Sequence, residues 1–102
     1  MNEPVCLMMI VPRPLRDDLL DYISEQNDLL FGFTAFDAAG HGSTIRLRTP
    51  AEQVKGHADQ TMAQIVLPRA SAEELIERMR TSFAGTRLVF WMLPVLQFGA
   101  IE

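Results

Sequence analysis

Apolar positions along the chain follow two rhythms, one of strands and one of helices. Val5-Cys6-Leu7-Met8-Met9-Ile10-Val11 is apolar at both parities and predicts a strand covered on both faces. Pro12 and Pro14 stop it, and Pro14 suits the first turn of a helix, where a missing N–H costs nothing. Leu15, Leu19, Tyr22 and Ile23 recur at helical spacing, with Asp17 and Asp18 at the positive end of the helix dipole. Gln26-Asn27-Asp28 ends that helix, and Leu30 to Asp37 reads as a second strand. Glycines at 40 and 42 mark a turn. Thr44 to Arg48 alternates apolar and basic residues, the pattern of a strand with one wet face. Thr49-Pro50 interrupts it, and Lys55-Gly56-His57 is another turn signal. Met62 to Leu67 predicts a third core strand. Ser71 and Glu74 have the spacing of a capping box, followed by the stripe Leu75, Ile76, Met79 and Phe83 and by Gly85 as a left-handed stop. Leu88 to Leu93 is a fourth strand, again apolar at both parities. Beyond Pro94, Val95 to Phe98 reads as a short edge strand.

The order β-α-β, β-α-β predicts one α+β domain over 1–102, of the ferredoxin-like split type, with two helices on one face of an antiparallel sheet. Two helices cover one face only, yet the first and fourth strands are apolar on both. Soluble monomers seldom leave such a patch wet, so the pattern predicts a homo-oligomer joined through the open face. Composition agrees: 48% of the 102 residues are hydrophobic, in a chain short enough to have a thin core. The net charge of -4, with scattered Lys and Arg, argues against nucleic acid as a partner. The longest apolar run is far short of a bilayer span and lacks the flanks of a signal peptide, so no direct membrane insertion is expected. With a single cysteine, Cys6, these features predict a cytoplasmic protein.

Candidate chemistry is sparse. His41 sits between two glycines, and His57 lies at the far end of the same polar stretch. The two can share one site, with Asp37, Glu52 or Asp59 adding oxygen, and imidazole with carboxylate suits zinc, nickel or copper(II). Cys6 fits a core position better than a thiolate ligand. Met8, Met79 and Met92 fall on core periodicities, and Trp91 belongs to the core or to an interface. Arg46 and Arg48 read as a solvated strand face or as a docking surface for an acidic partner. No G-x-S-x-G, C-x-x-C, P-loop or H-E-x-x-H is present. Asp17-Asp18 and Glu73-Glu74 are explained by helix N-termini, not by catalysis. The expectation is a protein that is not an enzyme.

Several segments, taken in order, resemble the PII superfamily of trimeric signalling proteins. They are the Cys6 to Val11 strand with Pro12-Arg13, Gly32-Phe33-Thr34, Gly40-His41-Gly42, and Glu52-Gln53-Val54-Lys55-Gly56. Trp91-Met92-Leu93-Pro94-Val95 and Phe98-Gly99 complete the set. The likeness is closest to a PII-like branch encoded beside heavy-metal efflux pumps. The resemblance implies a trimer with sheets facing inward. It also implies a T-loop, here at about residues 41–57, that docks onto transporters or enzymes. A regulatory protein follows, one that binds a small ligand or metal ion and modulates a partner such as an efflux transporter. One departure bears on the ligand. PII proteins hold ATP with a glycine-rich segment after the second helix and basic residues near the C-terminus. Here Ala84-Gly85-Thr86-Arg87 stands at the first place, and no Lys or Arg follows Arg87. A triphosphate needs cationic partners. PII-type ATP binding is therefore not expected, whereas Arg87 with Gly40, His41 and Gly42 can hold a smaller anion. Two rival readings are a CutA-like metal-binding trimer without a protein target and a small ferredoxin-like isomerase or monooxygenase with His41 as acid/base.

Overall fold

The first strand, β1 (Pro4–Pro12), is the axis of a four-stranded antiparallel sheet. In the computed structural model, which describes residues 2–102, the strand order is β2-β3-β1-β4. The other strands are β2 (Thr34–Gly40), β3 (Ala58–Pro68) and β4 (Val89–Pro94). A 3₁₀ turn at Arg13–Leu15, which carries Pro14, leads into α1 (Arg16–Glu25). Between β2 and β3 lies a short α2 (Pro50–Lys55). The last helix, α3, spans Arg69–Ser82. The expected ferredoxin-like α+β fold is present, with one helix more than the pattern predicted.

Side chains alternate across β1. Val5, Leu7, Met9 and Val11 are buried beneath the helices, while Cys6, Met8 and Ile10 point to the other face and are only half-buried. Ala63, Ile65 and Leu67 of β3 continue the buried layer, which Leu19 and Ile23 of α1 and Ala72, Leu75, Ile76 and Met79 of α3 close from above. Tyr22 meets Phe83 edge-on at 5.4 Å between ring centroids, joining the two helices. Arg78 ties α3 to the segment after α1. Its Nη1 donates to Gln26 Oε1 at 2.8 Å, and its fork holds Asp28 at 2.8 and 3.0 Å. That pairing keeps the Asp28 carboxyl below the usual carboxylate range.

Among the described residues neither α1 nor α3 covers the opposite face. Register places Val66, Cys6 and Leu93 in one row, Thr34, Gln64, Met8 and Trp91 in the next, and Phe36, Met62, Ile10 and Val89 in a third. Leu93 is 50% exposed, Val89 54% and Trp91 36%. The chain exposes 6795 Å², against about 5,800 Å² for a folded monomer of this mass. Its radius of gyration is 14.7 Å, against about 13 Å for a compact domain of this length. Both excesses accompany the exposed apolar side chains of this face.

Several local expectations are corrected. Leu30 does not start a strand. A turn closed by the amides of Leu29 and Leu30 on Gln26 O tucks Leu30 inward, and β2 starts only at Thr34. Thr44 to Arg48 is not a strand; among the described residues it pairs with none of the four strands. β3 begins four residues earlier than its apolar run, since Ala58 to Thr61 pairs with β2, and Gln60 and Thr61 with β1 as well. Ser71 does not cap α3. Pro68 is the N-cap, and Ser71 lies inside the helix. Val95 to Phe98 forms no strand and is held at its start by Val95 N donating to Pro4 O.

Candidate functional site

The base of the 41–57 loop is where the chain gathers its charge. Thr49 and Pro50, read from sequence as an interruption, open α2. The Thr49 hydroxyl accepts from the Glu52 amide at 3.1 Å, and Glu52 reaches back to the Thr49 amide at 3.2 Å, completing a capping box. Gly56 ends the helix with φ of 80°, in the left-handed region that costs a glycine least. Glu52 does more than cap. It is only 4% exposed, and its carboxylate also accepts from the amides of Arg48 and Asp59. One side chain thus pins the loop to the first turn of β3. These backbone bonds, Arg48 and Asp59 first, hold the Glu52 carboxyl below its ordinary value.

Beside Glu52 lies a hollow of about 260 Å³ under the loop, floored by Ile10 and Val89 of the open sheet face. Arg46, Arg48 and Arg87 converge on it. Among the described residues none of these three guanidinium groups makes a salt bridge or donates a hydrogen bond. Arg87 has φ of 61°, two residues after Gly85 at 79°, so the turn that ends α3 aims this residue rather than leaving it on a strand. The two carboxylates in the lining are already engaged: Glu52 by backbone amides, and Asp59 by Lys55 at 2.8 and 3.0 Å. The hollow therefore presents surplus positive charge.

The predicted ligand set is divided by the structure. Arg87 lines the hollow, whereas Gly40, His41 and Gly42 do not; Gly40 is buried at the end of β2, and Gly42 turns the chain with φ of 132°. Arg46 and Arg48, expected as a solvated face, take their place. The predicted metal pair is brought together on the other side of the loop base. His41 and His57 follow directly on the Gly40–Ala58 pairing of β2 and β3, with ring centroids 5.4 Å apart and planes at 44°. Asp59 Oδ1 lies 3.9 Å from His57 Nε2. Lys55 above all keeps the Asp59 carboxyl below its usual range. Asp37 is held in an ion pair with Arg13 at 3.7 Å, and the same Arg13 pairs with Asp59. Among the described residues no three His, Cys, Asp or Glu side chains already converge on one point.

Arg13 has a structural role that the sequence pattern does not assign. It bonds the Gln60 carbonyl at 3.1 Å and the Ala38 carbonyl at 3.4 Å, and pairs with both Asp37 and Asp59 at 3.7 Å. It braces the strand ends that carry the loop; Pro12 and Pro14 on either side were its one signal. Cys6 is away from this site, and burial pushes its thiol up, which disfavours a thiolate ligand.

Comparison with known proteins follows the same lines. A protein from Shewanella baltica OS155 superposes with a TM-score of 0.79 at 20% identity, covering 100% of each chain. CPII, a nitrogen regulatory PII-like protein from Thiomonas intermedia K12 bound to ADP, AMP and bicarbonate, superposes with a TM-score of 0.69 at 17% identity over 96% of this chain and 97% of its own. A putative PII-like signaling protein from Thermus thermophilus gives 0.64 at 14% identity over 93% and 91%. At these identities the likeness shows the fold, which is PII-like. No curated protein matches the chain. Among the described residues no helix is long and apolar enough to cross a membrane. The family described as "Protein of unknown function (DUF3240)" matches residues 1–102, and the Shewanella protein bears the same family name, so this chain belongs to the DUF3240 family.

Proposed function

We propose that this chain is a subunit of a PII-like regulator that binds a small anionic ligand beneath the 41–57 loop and passes its occupancy to a partner protein. The observation that carries this reading is the convergence of Arg46, Arg48 and Arg87, without acidic partners, on one hollow roofed by that loop. Guanidinium forks match carboxylate and phosphate oxygens, and an anion there offsets guanidinium charge that no carboxylate among the described residues pairs with. At about 260 Å³ the hollow is near the lower limit for organic ligands and suits bicarbonate or one phosphate group better than a whole nucleotide. CPII supports the class, since its bound molecules include two nucleotides and bicarbonate.

Two of the three arginines belong to the loop, so an anion drawn between them and Arg87 fastens the loop to the end of α3. Loop conformation thereby reports the ligand. The loop also carries Val54, 88% exposed, and Leu47, a pair of apolar contacts for a partner; a heavy-metal efflux transporter is the partner class we favour. The role is regulatory and not catalytic, because both carboxylates of the hollow are held by hydrogen bonds and neither is free as a base. Three subunits joined through their open faces are the assembly that best covers Trp91 and Leu93.

Calorimetry with bicarbonate, inorganic phosphate, AMP and ADP tests the reading. One anion is expected to bind one equivalent per chain. Arg46→Gln with Arg87→Gln should weaken it at least tenfold while the far-ultraviolet dichroism stays unchanged. An affinity equal in parent and double variant places the ligand elsewhere and removes the reading's support.

A further inference from the structure

We infer that His41 and His57 form a divalent transition-metal site, with Asp59 as a third ligand recruited from Lys55, which locks the two ends of the 41–57 loop together. The two histidines are cross-strand neighbours. Gly40 pairs with Ala58 in the β2–β3 ladder, and the next residues outward are His41 and His57. Both rings project on the helix side of the sheet, the parity shared by Asp37, Asp59 and Thr61.

The spacing suits one shared ion. A metal about 2.0–2.1 Å from a ring nitrogen lies about 3.2 Å from that ring's centroid, so two rings set at a tetrahedral angle have centroids about 5.2 Å apart. The observed separation is 5.4 Å. That separation lets both imidazoles reach one ion once each ring turns a nitrogen toward it. Two nitrogens from adjacent strand ends are also a rigid pair, because the ladder, braced by Arg13, sets their separation in advance.

The oxygen is less ready. Asp59 Oδ1 stands 3.9 Å from His57 Nε2, somewhat too far for both atoms to bind one ion, and Lys55 holds this carboxylate at 2.8 and 3.0 Å. Binding therefore requires Asp59 to exchange the Lys55 ammonium for the metal, while the Arg13 guanidinium stays 3.7 Å from Oδ1. The exchange couples the site to the loop, since Lys55 lies in the last turn of α2. Imidazole with carboxylate suits copper(II), nickel(II) and zinc(II), and among these the intrinsic order of affinity puts copper first. The anion hollow is floored by Ile10 and Val89 of the other sheet face, and of the three proposed metal ligands only Asp59 is in its lining, so the histidine variants separate the metal site from the proposed function.

The test is calorimetric titration of the purified full chain with zinc, nickel and copper(II) salts in a buffer that does not coordinate them. One metal per chain is expected, with copper tightest. His41→Ala and His57→Ala should each lower the affinity at least tenfold, and the double variant should lose little beyond either single one, because one imidazole alone is a poor anchor. Asp59→Asn should weaken binding, whereas Lys55→Gln should strengthen it by freeing the carboxylate; a scaffold role for these residues predicts no such opposition. His41→Gln serves if the alanine variant misfolds. Anion binding should survive in all the histidine variants. Equal affinity in parent and double variant, or Lys55→Gln that weakens binding, overturns the inference.

Discussion

Replacing Leu93 by aspartate isolates the role of the open sheet face. Leu93 lies in β4 opposite Cys6, in the row completed by Val66, and half of its side chain is still in water. Full burial of a leucine is worth about 1.5–3 kcal/mol, so covering the remaining half contributes about 1 kcal/mol per copy. Aspartate forfeits that and forces a carboxylate against apolar neighbours, a penalty of several kcal/mol unless it stays in water. Each of three subunits bears the cost once, so the closed assembly loses on the order of 10 kcal/mol. The single chain loses almost nothing, because Leu93 is not in its core cluster. Light scattering after size-exclusion chromatography should therefore give a trimer for the parent and a monomer for Leu93→Asp at about 10 micromolar, with helical dichroism retained. Gln53→Glu, an exposed change on α2, should leave the mass alone. A Leu93→Asp chain that assembles like its parent would refute the argument, since the face would then be solvated in the assembly.

Three further outcomes follow from the core and the loop. Leu75→Ala, at a fully buried position of α3, should cost about 2–5 kcal/mol in denaturant melts. Thr49→Ala removes the cap of α2 and should cost about 1 kcal/mol locally, read as faster proteolysis within 41–57 at an unchanged global melting temperature. Acid should release the loop through Glu52. Its folded value is depressed, so its contribution is complete above the ordinary value of about 4.3 and is lost as pH falls through the lower folded value. Protection of the amides at residues 48–59, relative to the intrinsic rate at each pH, should hold at pH 5 and fall below about pH 4, whereas Glu52→Gln should lack it already at neutral pH.

The apolar pattern of the sequence makes most of the sheet legible. The double-parity apolar runs of β1 and β4 predict a sheet covered on both faces; helices cover one, and the rows around Met8 and Ile10 form the other. Polar strand ends were harder. Asp59, Gln60 and Thr61 look like loop, yet all three pair with β2 and the last two also with β1, because strand length here is set by the neighbours' ladders and not by hydrophobicity. α2 was overlooked although Thr49, Pro50, Glu52 and Gly56 spell its cap, first turn and stop. Six residues are too few to show a helical stripe. Conversely, Ser71 and Glu74 have capping-box spacing without the box, since Pro68, directly after the last buried side chain of β3, already starts α3.

The site divides in the same way. His41 and His57 could be paired from sequence because each stands beside a glycine at one end of a single polar stretch. The arginine hollow could not. The alternation of Ile45, Arg46, Leu47 and Arg48 imitates a strand, and only the carboxylate of Glu52, reaching the amides of Arg48 and Asp59, folds that stretch over the sheet toward Arg87.

Hydrogen exchange of the loop with and without anion tests the central claim most directly. The account predicts that whichever of bicarbonate, phosphate, AMP or ADP binds will slow exchange across residues 43–55 in the parent, and that the slowing will vanish when Arg46 and Arg87 are both glutamine. A ligand that binds with no change in the loop, or a slowing that persists in the double variant, would contradict it.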